Sequence, residues 1–410
     1  MEPAPIPKKP QPWMTQRQTV AVLDALHSGS YPARFVGGCV RDSILGKSVK
    51  DYDIATPELP KRIIQLAERA GLRAIPTGID HGTITVVSGG ISFEITTLRE
   101  DVKTFGRRAE VVFTENWEKD AARRDLTLNA LYCDADGTVY DPINGLPDLE
   151  KGLIKFIGDP RARIAEDVLR VLRYFRFFAY YGKPPGDPNA LSACREFSPQ
   201  LGNLSVNRVW GEFSKILAAP DPTHTIALMS QWGVLEEILF SEIRLDCLDK
   251  LISFEKEFKK INPDPIRRLI ATTNLDESSA KSLSKRLNLS GFDRNRLLRL
   301  VTAAISPDVE SGDKKNREIL FQLGEKTFSD LVLLGSASSP QYDWSKLMSL
   351  PDRLPIPPFP IAGKDIIEYG VPEGKEVGKI LKTVKGWWAD GGFRSDREKC
   401  LEKIKELVSR

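Results

Sequence analysis

The sequence predicts an α+β protein: a small N-terminal head built on a mixed sheet, followed by an all-α neck, body and tail. Three observations predict it. Short apolar runs punctuated by Gly, Ser and Pro alternate with amphipathic stretches as far as Asp141-Pro142-Ile143-Asn144-Gly145. Gly82 to Val87 and Ile91 to Leu98 alternate in character on either side of Ser88-Gly89-Gly90, a hairpin signal. Beyond about residue 160 the apolar spacing is helical almost throughout, broken only by Pro- or Gly-rich stretches near 182–188, 263–265, 305–313 and 351–363.

In chain order, the proline-rich stretch 1–14 reads as a disordered leader. Residues 15–28 read as a helix with Val20, Leu23 and Leu26 on its apolar stripe. Arg34-Phe35-Val36 reads as a strand, Gly37-Gly38 as a turn, and a helix follows through Leu45. Asp51-Tyr52-Asp53-Ile54 reads as a second strand, leading to a helix over 58–70 begun by Thr56-Pro57 in cap and first-turn positions. The head then spans 15–145, the neck 146–220, the body 221–305 and the tail 306–410.

Composition narrows the class. A chain of 410 residues with 41% hydrophobic content builds two to four compact units with real cores. A net charge of +3 makes the chain nearly neutral, so any nucleic-acid surface has to be a local patch. Five cysteines without paired spacing point to reduced thiols and a cytoplasmic protein rather than a disulfide framework, and Cys39 reads as a small packing residue. Three histidines without a His-Asp doublet argue against a histidine metal site. No apolar run approaches the roughly 18 residues of a membrane span, so no membrane partner is expected. Oligomeric state is left open.

Chemistry concentrates in two stretches about seventy residues apart. In the first, Gly37-Gly38-Cys39-Val40-Arg41-Asp42 leads to Asp51-Tyr52-Asp53. On a strand, alternation puts Asp51 and Asp53 on one face, where two carboxylates repel and call for a hard divalent cation. Backbone N–H groups at Gly37-Gly38 and the following helix start suit phosphate. Taken singly, Asp-x-Asp is also a solvated strand end and Gly-Gly an ordinary turn. Their order, strand, glycine turn, basic helix start, then Asp-x-Asp, points to nucleotidyl transfer. The second stretch, Arg123-Arg124-Asp125-Leu126-Thr127-Leu128-Asn129-Ala130, combines cations with an Asp and an Asn at helical spacing. Its arginines are equally placed to pair with Glu118 or Asp120.

A third stretch, Ala165 to Phe177, reads as one helix carrying Glu166, Asp167, Arg170, Arg173 and Arg176. Asp167 and Arg170, three apart, share a face and would otherwise be an intrahelical ion pair. Cytosine and adenine both offer an amino donor beside a ring-nitrogen acceptor. An Asp accepts from the first and an Arg donates to the second, whereas uracil and guanine would set a carbonyl against the carboxylate.

These stretches resemble, in order, the motifs of the DNA polymerase β-type nucleotidyltransferases, in the branch holding class II CCA-adding enzymes and bacterial poly(A) polymerases. The resemblance spans roughly 30–215 and continues weakly in the tail. It implies template-independent addition of C, C and A to tRNA from CTP and ATP, with Asp51 and Asp53 as ligands of two Mg²⁺ ions. It makes Glu94, on the strand beside Asp-x-Asp, a third acid that ligates metal or accepts the attacking hydroxyl's proton. Gly37, Gly38, Arg41, Arg123 and Arg124 would hold the triphosphate, and Asp125 and Asn129 the sugar. Glu166, Asp167 and Arg170 occupy the base-reading motif, with Arg173 and Arg176 as phosphate or stacking contacts. A flexible loop is implied over Arg99 to Glu110, and its presence favours completing the triplet. Asp141 to Gly145, with Asp148-Leu149, resembles the hinge between head and neck. Ser205 to Phe213 resembles the final motif, where Arg208 and Glu212 buttress the reading helix, although Asn207 replaces the usual Glu.

In the helical remainder Lys256 with Lys259-Lys260, Arg267-Arg268, Lys285-Arg286 and Arg294 to Arg299 suit a surface for the tRNA acceptor stem and T arm. Ile361 to Ile366 and Gly386-Trp387-Trp388 resemble a tail segment whose aromatics pack. The alternatives within the family are a poly(A) polymerase and a partial adder of CC or A. Against the polymerase, His81-Gly82-Thr83 enters the hairpin without the Gly-Arg-Arg-Phe-type segment of that branch. Outside the family, the alternative is a non-catalytic RNA-binding protein that kept the fold.

Overall fold

The head is organised by one seven-stranded sheet in the order β3-β4-β5-β2-β1-β8-β9. The computed structural model describes residues 2–4, 9–105, 108–258 and 261–409. Its head elements are α1 (Arg17–His27), β1 (Arg34–Val36), α2 (Gly38–Ile44), β2 (Tyr52–Thr56), α3 (Pro60–Arg69), β3 (Arg73–Gly78), β4 (Thr83–Ser88), β5 (Ile91–Thr97), β6 (Arg99–Phe105), β7 (Arg108–Phe113), α4 (Trp117–Ala122), β8 (Tyr132–Cys133) and β9 (Val139–Tyr140). β2 and β5 run parallel while the other pairings of the sheet are antiparallel, which makes it mixed, as the sequence predicts. The β4–β5 turn has Gly89 and Gly90 at φ +55° and +84°, the double left-handed geometry that glycine alone adopts freely.

In the head, four expectations need correction. The stretch 1–14 is not a loose leader where it is described. Pro3 bridges Tyr140 on β9, Trp13 stacks edge-on against Phe35 with its indole N–H on Ser43 Oγ at 3.1 Å, and Met14 is buried. Low hydrophobicity hid these few anchoring side chains. On α1 Leu23 and Leu26 are buried as expected, but Val20 is 39% exposed and Val22 takes its place in the core. Helix α3 begins at Pro60 rather than at Thr56-Pro57, because Thr56 completes β2, where its Oγ1 accepts from Glu58 N–H. The stretch expected as a flexible loop is a paired ribbon: β6 and β7 run antiparallel from Arg99↔Phe113 to Phe105↔Arg108, with Gly106-Arg107 outside the described residues.

Beyond the sheet come α5 (Leu146–Lys151), α6 (Pro160–Glu166), α7 (Arg170–Tyr181), α8 (Pro188–Phe197), α9 (Val206–Leu217) and α10 (Thr223–Gln231). Helix α7 buries Val171, Leu172, Tyr174, Phe175 and Phe178 and packs on α9 and α10. The single helix expected over Ala165 to Phe177 is broken at Asp167, whose backbone is extended at φ −155°, ψ 108°. Its side chain accepts from Leu169 N–H at 3.2 Å and its carbonyl from Arg170 N–H at 2.9 Å. An Asp offering its own backbone such a local partner favours restarting the helix over continuing it.

The chain divides into two units, Met1–Phe240 and Ser241–Arg410. The second holds α11 (Leu245–Glu257), α12 (Pro265–Thr272), α13 (Glu277–Arg286), α14 (Gly291–Val301), α15 (Asp313–Leu323), α16 (Glu325–Ser338), α17 (Ser345–Met348), α18 (Leu350–Arg353), α19 (Gly363–Ile367), α20 (Lys375–Asp390) and α21 (Arg397–Val408). Trp388 is buried against Phe321, Phe359 and Phe393, a packing role as expected. Arg267 and Arg268 are not on a surface. Both are buried on Glu255, and Arg267 also meets Asp330 at 2.8 Å. A basic doublet in sequence carries no label for which face it occupies. Lys259-Lys260 lies outside the described residues.

Candidate active site

The β1–turn–α2 unit sets one wall of the site. Gly37 has φ +72°, and a Cβ there would meet Asn129 O at 3.5 Å and Arg124 Nη1 at 3.7 Å, so the turn needs glycine for its backbone and lies against an arginine. Cys39 faces inward, its thiol donating to Val36 O at 3.4 Å and Asp53 O at 3.6 Å, and burial pushes it up to about 12. It is a packing residue, as expected.

Asp53 on β2 stands in parallel register beside Glu94 on β5. Asp51 is exposed, immediately before β2 begins. Burial, then the negative charge of Glu94, pushes the Asp53 carboxyl up to about 6, with Asp51 adding to the rise and Arg124 and Arg41 opposing it. Burial and a like charge both disfavour the ionised carboxylate, and here they act together. Among the described residues no group of three or more His, Cys, Asp or Glu is gathered closely enough to form a metal cage by itself. Hard oxygen donors on one or two carboxylates, completed by substrate phosphate and water, are nevertheless the usual Mg²⁺ arrangement.

A cleft of about 570 Å³ opens beside these acids. From the head it is lined by Gly37, Gly38, Arg41, Asp53, Asp101, Arg123, Arg124, Asp125 and Asn129. The helices that follow contribute Asp167, Leu169, Arg170, Arg173, Arg176, Phe177 and Arg208. Stretches more than a hundred residues apart in sequence thus meet at one site. Of the predicted residues, Asp51, Glu94 and Glu166 do not line it.

Asp120, fully buried on α4, organises the arginines. It accepts from Arg123 Nε at 2.8 Å, Arg124 Nη2 at 3.0 Å and the Tyr132 hydroxyl at 2.7 Å. Burial would raise its carboxyl, but Arg124 and Arg123 outweigh that and hold it well below the usual range. The pairing with Asp120 and the place in the cleft therefore hold together. Arg124 Nε remains buried with no hydrogen-bond partner beside the glycine turn.

Asp125 accepts from Arg173 Nε at 2.6 Å and from Asn129 Nδ2 at 3.3 Å. Burial pulls its carboxyl up, yet the charge and hydrogen bond of Arg173 prevail and hold it low. Asn129 Oδ1 in turn accepts from Arg41 Nη1 at 2.7 Å.

The proposed base readers are each held from the side. Arg208 Nη2 donates to Asp167 Oδ2 at 2.6 Å. Arg170 Nη1 donates to Arg163 O at 2.8 Å and to Glu166, which also accepts from Arg163 at 3.0 Å. No ion pair joins Asp167 to Arg170 among the described residues; the helix break has re-aimed Asp167 toward α9. Arg176 pairs with Glu212 at 2.6 Å and lies 4.2 Å from the centre of the Phe177 ring. Sequence reasoning singled out neither Phe177 and Asp101, which line the cleft, nor Tyr181, whose hydroxyl accepts from Arg41. Only the helical spacing of Phe177 and Tyr181 with Arg173 hints at them.

Residues 33–155 match the family described as the poly A polymerase head domain, and 187–244 match a probable RNA and SrmB-binding site of polymerase A. The mitochondrial CCA tRNA nucleotidyltransferase 1 of Mus musculus is 34% identical over 395 residues, covering 92% of this chain and 87% of its own. The CCA-adding enzyme of Limosilactobacillus fermentum is 31% identical over 403 residues, covering 94% and 96%. The fold is shared with the Bacillus stearothermophilus CCA-adding enzyme solved in complex with CTP, at a TM-score of 0.74 and 24% identity over 96% of this chain and 97% of that one. The Thermotoga maritima CCA-adding enzyme complexed with tRNA matches at a TM-score of 0.62 and 20% identity over 94% of each chain.

Proposed function

The chain belongs to the CCA-adding tRNA nucleotidyltransferase family, and from that premise we propose how its residues divide the work. The reaction is addition of C, C and A to the 3′ end of tRNA from CTP and ATP, with release of pyrophosphate. The observation that carries the residue assignment is the shared cleft: the Asp53 strand, the glycine turn and the Asp167/Arg170 elements all border one space.

Divalent metal use comes with the family; the ions proposed are two Mg²⁺, which Asp51 and Asp53 would hold. Bound there, they would supply charge neutralisation at the α-phosphate and lower the pKa of the attacking 3′-hydroxyl. Glu94, in register with Asp53 on the neighbouring strand, adds negative charge there and stands as the third acid. Arg123 and Arg124 take the triphosphate, supported by the unpartnered Arg124 Nε and by the approach of the same guanidinium to Gly37. Their charge stabilises the departing pyrophosphate as the tRNA 3′-oxygen bonds to the α-phosphorus and the α–β bridging P–O bond breaks. Asp125 and Asn129 take the sugar hydroxyls, and Arg41, which donates to Asn129 Oδ1, orients the amide.

Asp167 and Arg170 read the base edge, each pre-aimed by a protein partner, so selection needs no nucleic-acid template. Arg173 and Arg176 complete the cationic wall. Residues 15–145 serve as catalytic head, 146–220 as base-recognition neck, and the helices of 221–305 and 306–410 as body and tail gripping the acceptor stem and T arm. The exposed Lys285, Arg286, Arg294 and Arg299 suit that grip. A cytoplasmic location accords with five unpaired, buried cysteines. Among the described residues no helix is long and apolar enough to cross a membrane.

The test supplies Mg²⁺, CTP and ATP, singly and together, to tRNA ending at the discriminator base and to tRNA ending in CC. Products are sized at single-nucleotide resolution. Three additions that then stop are expected. A stop after one or two would mark a partial adder, a long A ladder a poly(A) polymerase, and no product from either tRNA a binding protein.

A further inference from the structure

One polar circuit leaves the base-reading helix and returns to it. Arg173 Nε donates to Asp125 Oδ2 at 2.6 Å, Asn129 Nδ2 donates to Asp125 Oδ1 at 3.3 Å, and Arg41 Nη1 donates to Asn129 Oδ1 at 2.7 Å. Arg41 Nη2 then donates to the Tyr181 hydroxyl at 2.7 Å, and Tyr181 donates onward to Asp42 Oδ1 at 2.9 Å. Arg41 Nε closes on the same Asp42 oxygen at 3.0 Å. Arg173 and Tyr181 are eight residues apart on α7, about 12 Å along its axis. The helix is therefore held to the head at two points, with the head's own residues bridging them.

We propose that this circuit fixes the axial register of α7 against the head, and that Tyr181 is a positioning residue for base selection. The proposal rests on the reading of Asp167 and Arg170 as the base-recognition pair. The apolar face of α7, Val171, Leu172, Phe175 and Phe178, supplies adhesion, but burial of apolar surface is non-directional and tolerates sliding. Hydrogen-bond recognition of a base edge tolerates only a few tenths of an ångström. Directional bonds at both ends of the helix supply what packing cannot.

Tyr181 suits the role because it does not line the cleft, so its effect has to travel through Arg41 and the helix. Burial pushes its phenol up to about 12, which keeps the proton that it donates to Asp42. Its ring also packs on Arg41, 4.1 Å from the guanidinium carbon, a contact that survives loss of the hydroxyl.

The test is Tyr181→Phe, with equilibrium binding of CTP and UTP measured directly beside single-nucleotide addition. Loss of one hydrogen bond to a charged partner should lower the CTP-over-UTP binding ratio about five- to twentyfold. Tm and addition at saturating CTP should stay near wild type, and Asp42→Asn should combine with Tyr181→Phe non-additively. An unchanged ratio in Tyr181→Phe, against a discriminating wild type, would overturn the proposal. So would a lowered Tm with equal weakening of both nucleotides, which would make Tyr181 a structural prop. Failure of the underlying site reading looks different: the wild type would not discriminate, or Asp167→Ala would leave discrimination intact.

Discussion

The cleft of the first unit and the core shared by α11, α12, α14 and α16 in the second are built from the same ingredients. In the cleft Arg123, Arg124, Arg173 and Arg208 face Asp120, Asp125 and Asp167. In the second unit Arg267, Arg268 and Arg296 face Glu255, Asp264 and Asp330. Arginine–carboxylate pairing therefore does not by itself mark a functional site. Exposure and leftover capacity do. Arg173 keeps 34% of its side chain exposed whereas Arg268 keeps 2%. The cleft also retains a buried arginine nitrogen without a partner and a carboxylate raised by burial and by the charge of Glu94. The second assembly has matched charges, and Glu255, Arg267, Arg268 and Asp330 are all buried in it, an arrangement that holds helices together.

The contrast can be broken first at Asp53. Asp53→Ala should cut nucleotide addition on the order of 10³-fold or more, since several kcal/mol of charge stabilisation go with it. Binding of tRNA, followed by gel shift, should hold; a parallel loss of binding would dissolve the metal-site assignment. Glu255→Ala should act in the opposite currency. It strands Arg267 and Arg268 in the interior and should cost about 3–5 kcal/mol in urea melts. Addition per folded molecule should be unchanged, and a near-neutral melt would erase the distinction between the assemblies.

Asp167→Ala should sharpen the contrast within the cleft. It should erode preference for C and A over U and G by roughly 10- to 100-fold, read from misincorporation, more than it slows pyrophosphate release. The smallest effect concerns acid stability. The folded Asp120 carboxyl lies below its ordinary 3.8, so the stability it contributes is complete above about pH 4 and is lost as pH falls toward the lower folded value. Asp120→Asn should therefore flatten the fall of Tm below about pH 4 relative to wild type. An unchanged slope would mean that the arginines do not hold Asp120.

Local rules made much of this legible. The Gly89-Gly90 turn, the strand before Gly37 and the alternation across β4 and β5 each follow from short-range chemistry, and the antiparallel β4–β5 hairpin follows from them. The parallel neighbour of Asp53 came through resemblance, and the register places Glu94 there. What stayed hidden depends on three-dimensional partners. The break at Asp167 arises from one side chain bonding its own backbone, within a run whose apolar spacing is helical on both sides. Arg267 and Arg268 read as surface because nothing in a basic doublet reveals Glu255 and Asp330 waiting on α11 and α16. Tyr181 was invisible because its partners Arg41 and Asp42 lie about 140 residues earlier.

The packed N-terminal segment has a practical corollary. β9 is the outermost strand of the sheet, and Pro3 with Ala4, whose N–H donates to Val139 O at 2.7 Å, covers part of its free edge. Trimming the first fourteen residues as a dispensable leader would bare those backbone groups and remove Trp13 and Met14 from their apolar contacts. An uncovered edge beside exposed apolar surface is a template for strand addition between molecules. Poor solubility after such trimming would then report an unprotected sheet margin, not a defect in catalysis.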